Sequence, residues 1–171
     1  MTVAEPVVLA PPTRFAGLVT RVLAFAADAV VINVVGWFVA LVISLGLSLI
    51  GIPDEVVDVL IAIGSLIALL WTVSYFAFFW STTGQTPGNR LLGIRVVDAG
   101  TGLPPRPGRA VRRFFCLILA ALPLCLGFLW ILVDDRRRGW HDMLAGTVVA
   151  DVTDEPPPIR SDLRPHPRRA A

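Results

Sequence analysis

Val59–Trp80 reads VLIAIGSLIALLWTVSYFAFFW and carries no charged residue along its whole length. As a helix, at about 1.5 Å of rise per residue, such a run crosses the roughly 30 Å hydrocarbon core of a bilayer. The rest of the chain agrees with that environment. Of 171 residues, 55% are hydrophobic and 16% charged. A soluble domain of this length hides only about 70% of its chain surface, so this composition would leave large exposed apolar patches. Burial in lipid removes the difficulty. The end of the run, Trp71, Tyr75, Phe76, Phe78, Phe79 and Trp80, suits an interfacial aromatic belt. Ordinary core packing is the alternative.

Upstream, Val22–Ile52 forms a second long apolar run whose strongly polar residues are Asp28 and Asn33. Gly51-Ile52-Pro53-Asp54-Glu55 makes a turn between the two runs. Pro53 sits where a helix can start, and the acids suit its positive end. Two antiparallel spanning helices follow. Gly36, Ala40, Ser44 and Ser48 recur every four residues on the first, and Gly64, Ala68 and Thr72 on the second. Small residues at this spacing let helix backbones approach, so these stripes are expected to face each other. Residues 1–13, with Pro6, Pro11 and Pro12, read as a disordered arm. They lack the basic and apolar regions of a signal peptide, so the first spanning helix is expected to direct insertion.

Downstream, residues 81–113 are polar and turn-rich. Leu91–Val97 is strand-like, Asp98-Ala99-Gly100-Thr101-Gly102 is a hairpin-like turn signal, and Arg109, Arg112 and Arg113 lead into a third apolar stretch. That stretch, Phe114–Val133, is interrupted by Pro123 and Gly127 and closed by Asp134-Asp135-Arg136-Arg137-Arg138. A second strand-like segment covers 145–152, and 153–171 reads as a disordered Pro/Arg-rich tail. Basic flanks mark the cytoplasmic side. They put the N-terminus and the 81–113 loop inside. A single third crossing would place Arg136, Arg137 and Arg138 outside and separate the two strand-like segments, each with unpaired edges. A stretch that bends near Pro123 and returns avoids both problems. It puts the C-terminus inside and pairs the segments in a small cytoplasmic sheet. One oblique spanning helix is the alternative.

Chemistry centres on Asp28. A charged side chain at mid-bilayer costs at least about 2.5 kcal/mol, so Asp28 should face protein and have a partner or a proton. Arg21 shares its face but lies about 10 Å away along the axis, and can snorkel to the interface. Asn33 extends the same polar path. Asp28 reads either as an ion or ligand site or as half of a structural pair with an Arg of the 109–113 group. Arg112, Arg113, Asp134, Asp135, Arg136, Arg137 and Arg138 read as structural or headgroup-facing charges. His141-Asp142 lacks the further ligands of a metal site. Gly84–Arg90 lacks the Lys-Ser/Thr ending of a phosphate loop. Neither a nucleophilic catalytic set nor a nucleic-acid module is visible. Cys116 and Cys125, nine apart, would lie on opposite faces of a helix, which argues against an internal disulfide.

Arg21 and Asp28, then GQTPGNRLLGIRVVD (Gly84–Asp98), then RRRGWHDMLAGTVV (Arg136–Val149) resemble the RDD family of bacterial membrane proteins. The resemblance covers 14–152. It assigns the family arginine to Arg21 and its first aspartate to Asp28. The second falls on Asp142, with Asp134 and Asp135 nearby. Pro87 departs from the pattern, where a non-proline residue is expected. The runs read as an all-α integral membrane protein with a small cytoplasmic β element, and the resemblance implies a multi-pass protein of the bacterial plasma membrane. Transport of an unidentified ligand, or cation/proton exchange, has been suggested for the family, and other members look like assembly partners. The expectation is therefore a transport-related, oligomeric protein using Asp28, with Arg21 and Asp142 setting its charge state. The alternative is a non-enzymatic scaffold for another membrane protein. No cofactor, metal, enzymatic activity or nucleic-acid partner is expected.

Overall fold

The computed structural model describes residues 14–152 except Ile52 and Leu124. The arm at 1–13 and the tail at 153–171 lie outside the described residues. The element order is α1 (Leu18–Ser48), α2 (Asp54–Thr82), α3 (Pro87–Leu91), β1 (Ile94–Asp98), α4 (Pro107–Ala121), α5 (Leu126–Leu129) with a 3-10 turn (Trp130–Leu132), α6 (Trp140–Ala145) and β2 (Thr147–Asp151). Two helices, Leu18–Ser48 and Glu55–Thr82, are long and apolar enough to cross a membrane. Their side chains are exposed over most of that length, Trp37 by 75% and Leu45 by 64%. Apolar exposure on this scale implies a lipid bilayer as solvent.

β1 and β2 pair antiparallel, Ile94 opposite Asp151 through Asp98 opposite Thr147. The two strand-like segments thus meet in one sheet. Residues 14–16 extend it on the far side of β2. Ala16 N–H donates to Val149 O, Asp151 N–H donates to Arg14 O, and Phe15 bridges to Ala150. The start of α1 is thereby tied to β2. β1 begins at Ile94, later than the alternation at Leu91 suggests, because Pro87 opens a short helix. Proline lacks an N–H that would be unsatisfied in the first turn anyway, and its φ is already helical. Thr86 caps this helix, its Oγ1 accepting from Asn89 N–H. The hairpin-like signal turns the chain without joining two strands. Asp98 Oδ1 accepts from Gly100 and Thr101 N–H, and the chain runs on to α4.

The third apolar stretch is broken. Pro107–Ala121 and Leu126–Leu132 are bent by 111°. Gly127 permits the tight return, since a Cβ there would lie 2.7 Å from Ala120 Cβ. Both ends of the stretch reach the sheet end of the molecule. Arg113, at its start, is ion-paired with Asp142, beyond its finish.

The core sits at that same end. Ala24, Phe76, Trp80, Ile94, Val96, Ala110 and Val149 are buried together, contributed by α1, α2, β1, α4 and β2. Phe76 lies 5.8 Å from Phe25 and 5.0 Å from Trp80, ring centre to ring centre. The aromatic run therefore divides by helical face. Phe76 and Trp80 pack inward, while Trp71 and Phe78 are exposed.

The small-residue stripes do not interlock. A Cβ added at Gly36 or at Gly64 would meet no atom within 4 Å. Gly36, Ala40 and Ala68 instead line a cleft of about 750 Å³ between α1 and α2, along with Phe25, Trp37 and Phe76. Aromatic rings at the sheet end are wider than the glycines and alanines further along, and they set the helix separation.

Candidate functional site

Arg21, Asp28 and Asp142 are all buried, at 4%, 1% and 0% exposure. They belong to two adjoining clusters, and Arg21 and Asp28 occupy different ones.

The first cluster is built on Asp142. One carboxylate oxygen accepts from Arg113, and the other accepts from Arg21 at 2.5 Å and from Gly139 N–H at 3.0 Å. Asp142 is the third residue of α6, so its bond to Gly139 N–H also closes the helix start. Arg21 has two more acceptors, Ala16 O at 3.2 Å and Arg137 O at 2.6 Å. It is anchored inward rather than snorkelling. Arg113 donates to Thr147 Oγ1 at 2.7 Å, and its guanidinium carbon stands 5.0 Å from the Trp80 ring centre. One carboxylate thus joins α1, α4 and α6 beside β2. Burial by itself would raise the Asp142 carboxyl. Arg113, with His141 and Arg21, overrides this and holds it well below the usual carboxylate range.

His141 is buried beside this pair, its Nε2 3.6 Å from Asp142 and its ring 5.1 Å from Phe128. Burial pushes its pKa down to about 3, so the imidazole is neutral at pH 7. Gly139 is held to glycine because a Cβ would come within 2.6 Å of the His141 ring.

The second cluster is built on Asp28. Its Oδ1 accepts from Tyr75 hydroxyl at 3.0 Å and from Gly88 N–H at 2.8 Å, and its Oδ2 accepts from Thr86 hydroxyl at 2.5 Å. The donors are neutral and come from α2, from α3 and from the residue capping α3. The expected pairing of Asp28 with an arginine of the 109–113 group is not what forms, because Arg113 is committed to Asp142. Gly88 makes the arrangement possible. A Cβ there would stand 2.1 Å from Ala24 O and 2.8 Å from Asp28 Cγ, so α3 lies with its backbone against α1.

The remaining charges are peripheral. Asp134 binds Arg138 through two guanidinium contacts of 2.9 Å, and that side-chain bonding lowers its pKa to about 2. Arg109 pairs with Asp98, and Arg112 donates to Ala145 O. Asp135 and Arg136 are exposed, as is Arg137, whose φ is positive. Asn33 turns back on its own helix, donating to Ala29 O, and does not extend a path from Asp28. Among the described residues no group of three His, Cys, Asp or Glu side chains is placed to hold a metal ion. Tyr75, Thr86 and Gly88, which Asp28 needs, were not read from the sequence as its partners; Tyr75 was placed in the aromatic belt. The one available signal was the Thr86-Pro87 pair, a cap followed by a first-turn proline.

The profile of the RDD family matches residues 15–146. An uncharacterised protein of Rickettsia prowazekii is 35% identical over 81 residues, covering 47% of this chain and 44% of that protein. An uncharacterised protein of Haemophilus influenzae is 34% identical over 94 residues, covering 52% and 60%. A protein described as a proline-rich antigen homolog from Mycobacterium tuberculosis is 27% identical over 160 residues, covering 83% and 65%. The chain thus spans about half the length of the first two relatives. No solved structure matches.

Proposed function

The chain belongs to the RDD family, and we propose that it serves as a non-enzymatic assembly module of a bacterial plasma-membrane complex. In this reading Arg21, Asp28 and Asp142 hold the fold rather than carry cargo. One observation carries it: Asp28 already accepts three hydrogen bonds from its own chain while only 1% exposed. A carboxylate so satisfied is a structural hub. The helices and the cleft between them leave ample apolar surface for a second copy or another membrane protein. The broken third stretch returns to the sheet end as a re-entrant segment. The arginine-rich sheet end faces the cytoplasm, consistent with basic flanks staying inside.

One observation favours cation or proton transport instead. Ala29, Ile32, Thr72 and Phe76, close neighbours in sequence of Asp28 and Tyr75, line the 750 Å³ cleft, so the Tyr75–Asp28 bond stands at its edge.

Proteoliposome cation flux under a pH gradient separates the readings, run on wild type and Asp28→Asn after equal insertion is verified. The assembly reading expects no flux from either protein, and a lower unfolding temperature for Asp28→Asn. Wild-type flux that disappears in a folded Asp28→Asn would overturn it.

A further inference from the structure

Among the described residues, three buried side-chain nitrogens around Asp142 have no hydrogen-bond partner, Trp80 Nε1, Arg113 Nε and His141 Nδ1, and the first two belong to residues that line one cavity. Trp80 and Arg113 are each 1% exposed. A buried N–H that finds no acceptor costs about 1–3 kcal/mol, so two in one place require an explanation. Both residues line a small cavity of about 10 Å³, together with Arg21, Asn89, Phe25 and Ile94. That is room for one small species.

The lining selects its charge. Arg21 and Arg113 contribute two positive charges, and the acid bonded to them, Asp142, contributes one negative charge. Asp28 directs its oxygens to Tyr75, Thr86 and Gly88 instead. The unused groups at the cavity are donors. Asn89 adds a side-chain amide able to donate as well. A low-dielectric pocket with surplus positive charge and donors to spare favours an acceptor that carries negative charge.

We propose that this cavity binds one monatomic anion of chloride size, held by Trp80 Nε1, Arg113 Nε and the Asn89 amide. The ion would join the end of α2 to α3 and α4 beside the Arg21–Asp142–Arg113 cluster. It would also offset the like charge of the two guanidiniums.

The test uses the full chain purified in sodium gluconate, whose anion is far too large for the cavity. Bromide or chloride is then titrated in at constant ionic strength. The unfolding temperature should rise with the logarithm of halide concentration, by roughly 3–6 °C when the halide stands at ten times its dissociation constant. Trp80→Phe keeps an aromatic ring over Arg113 but removes the N–H. It should weaken the halide effect about tenfold or more. In crystals of wild type grown with bromide, an anomalous peak should lie between Trp80 and Arg113, a readout that stands even if Trp80→Phe fails to fold. Equal unfolding temperatures in gluconate and halide would overturn the proposal. So would a halide effect unchanged in Trp80→Phe, or a bromide-free cavity holding only water.

Discussion

Asp142→Asn tests the central ion cluster most directly. The substitution keeps the side chain's shape and removes its charge. Asp142 is the carboxylate bonded to both Arg21 and Arg113, and all three are at most 4% exposed. Removing one partner of a buried pair typically costs about 3–5 kcal/mol, because the remaining charge is left uncompensated in a poor solvent. Here two guanidiniums lose their anion and repel one another. The new amide also turns an NH2 toward one of them, setting donor against donor. The expected loss therefore lies at the upper part of that range. Against a total stability of about 5–15 kcal/mol, it removes a large fraction. Reversible unfolding in mixed micelles, followed by tryptophan fluorescence, would measure it. The companion variant is Arg21→Met with Arg113→Met and Asp142→Leu. Replacing a buried ionic group by apolar residues of similar volume is often neutral or stabilising, so the triple variant should recover most of what Asp142→Asn loses. A loss below about 1 kcal/mol for Asp142→Asn, or a triple variant as unstable as the single one, would refute the reasoning.

Other expectations follow from the same geometry. His141 has its pKa lowered by burial to about 3, against an ordinary 6.5, so the unfolded chain binds the extra proton first. Stability should fall as pH drops from 6.5 toward 3, by about 1.4 kcal/mol per unit from this residue; acid titration of His141→Phe should lack that slope. Gly88→Ala drives a methyl into Ala24 O and Asp28 and should cost at least about 1–3 kcal/mol, read as a lower unfolding temperature. Gly36→Leu and Gly64→Leu meet open space and should leave the unfolding temperature of the isolated chain in detergent unchanged. An impaired fold in either would restore the interlocked stripes.

The spans were legible because a long uncharged run admits few physical interpretations. The pairing of β1 with β2 was also legible, through the rule that strand edges must be satisfied. Which acid meets which base was not. Arg113 and Asp142 are 29 residues apart and Arg21 and Asp142 are 121 apart, separations over which helical periodicity carries no information. The family pattern pointed to Asp142, but spacing alone could not choose it over Asp134 or Asp135. In the fold Asp134 is spent locally on Arg138, four residues away, and Asp135 is exposed. The small-residue stripes do face a common cleft, but periodicity describes one helix at a time and could not give the distance across it. The distance between two helices is set by the largest side chains they share, here Phe25, Phe76 and Trp80.

Asp28 and Asp142 solve burial differently, and the difference bears on function. Asp142 is held by charge, among guanidiniums that keep it ionised. Asp28 is held by neutral donors from separate elements, and one of them, Gly88 N–H, belongs to the first turn of α3. An exchangeable carboxylate has to release its partners in every cycle. Were Asp28 to do so, Gly88 N–H would be left without its acceptor, and the Tyr75 and Thr86 hydroxyls would need new partners in a site that is almost fully closed. Because α3 rests with its backbone against α1 at Gly88, that release would also loosen the segment leading into β1. The local arrangement therefore resists the motion that transport demands. The cleft between α1 and α2, where a second copy or a partner helix could bind, is open already and asks for no such rearrangement.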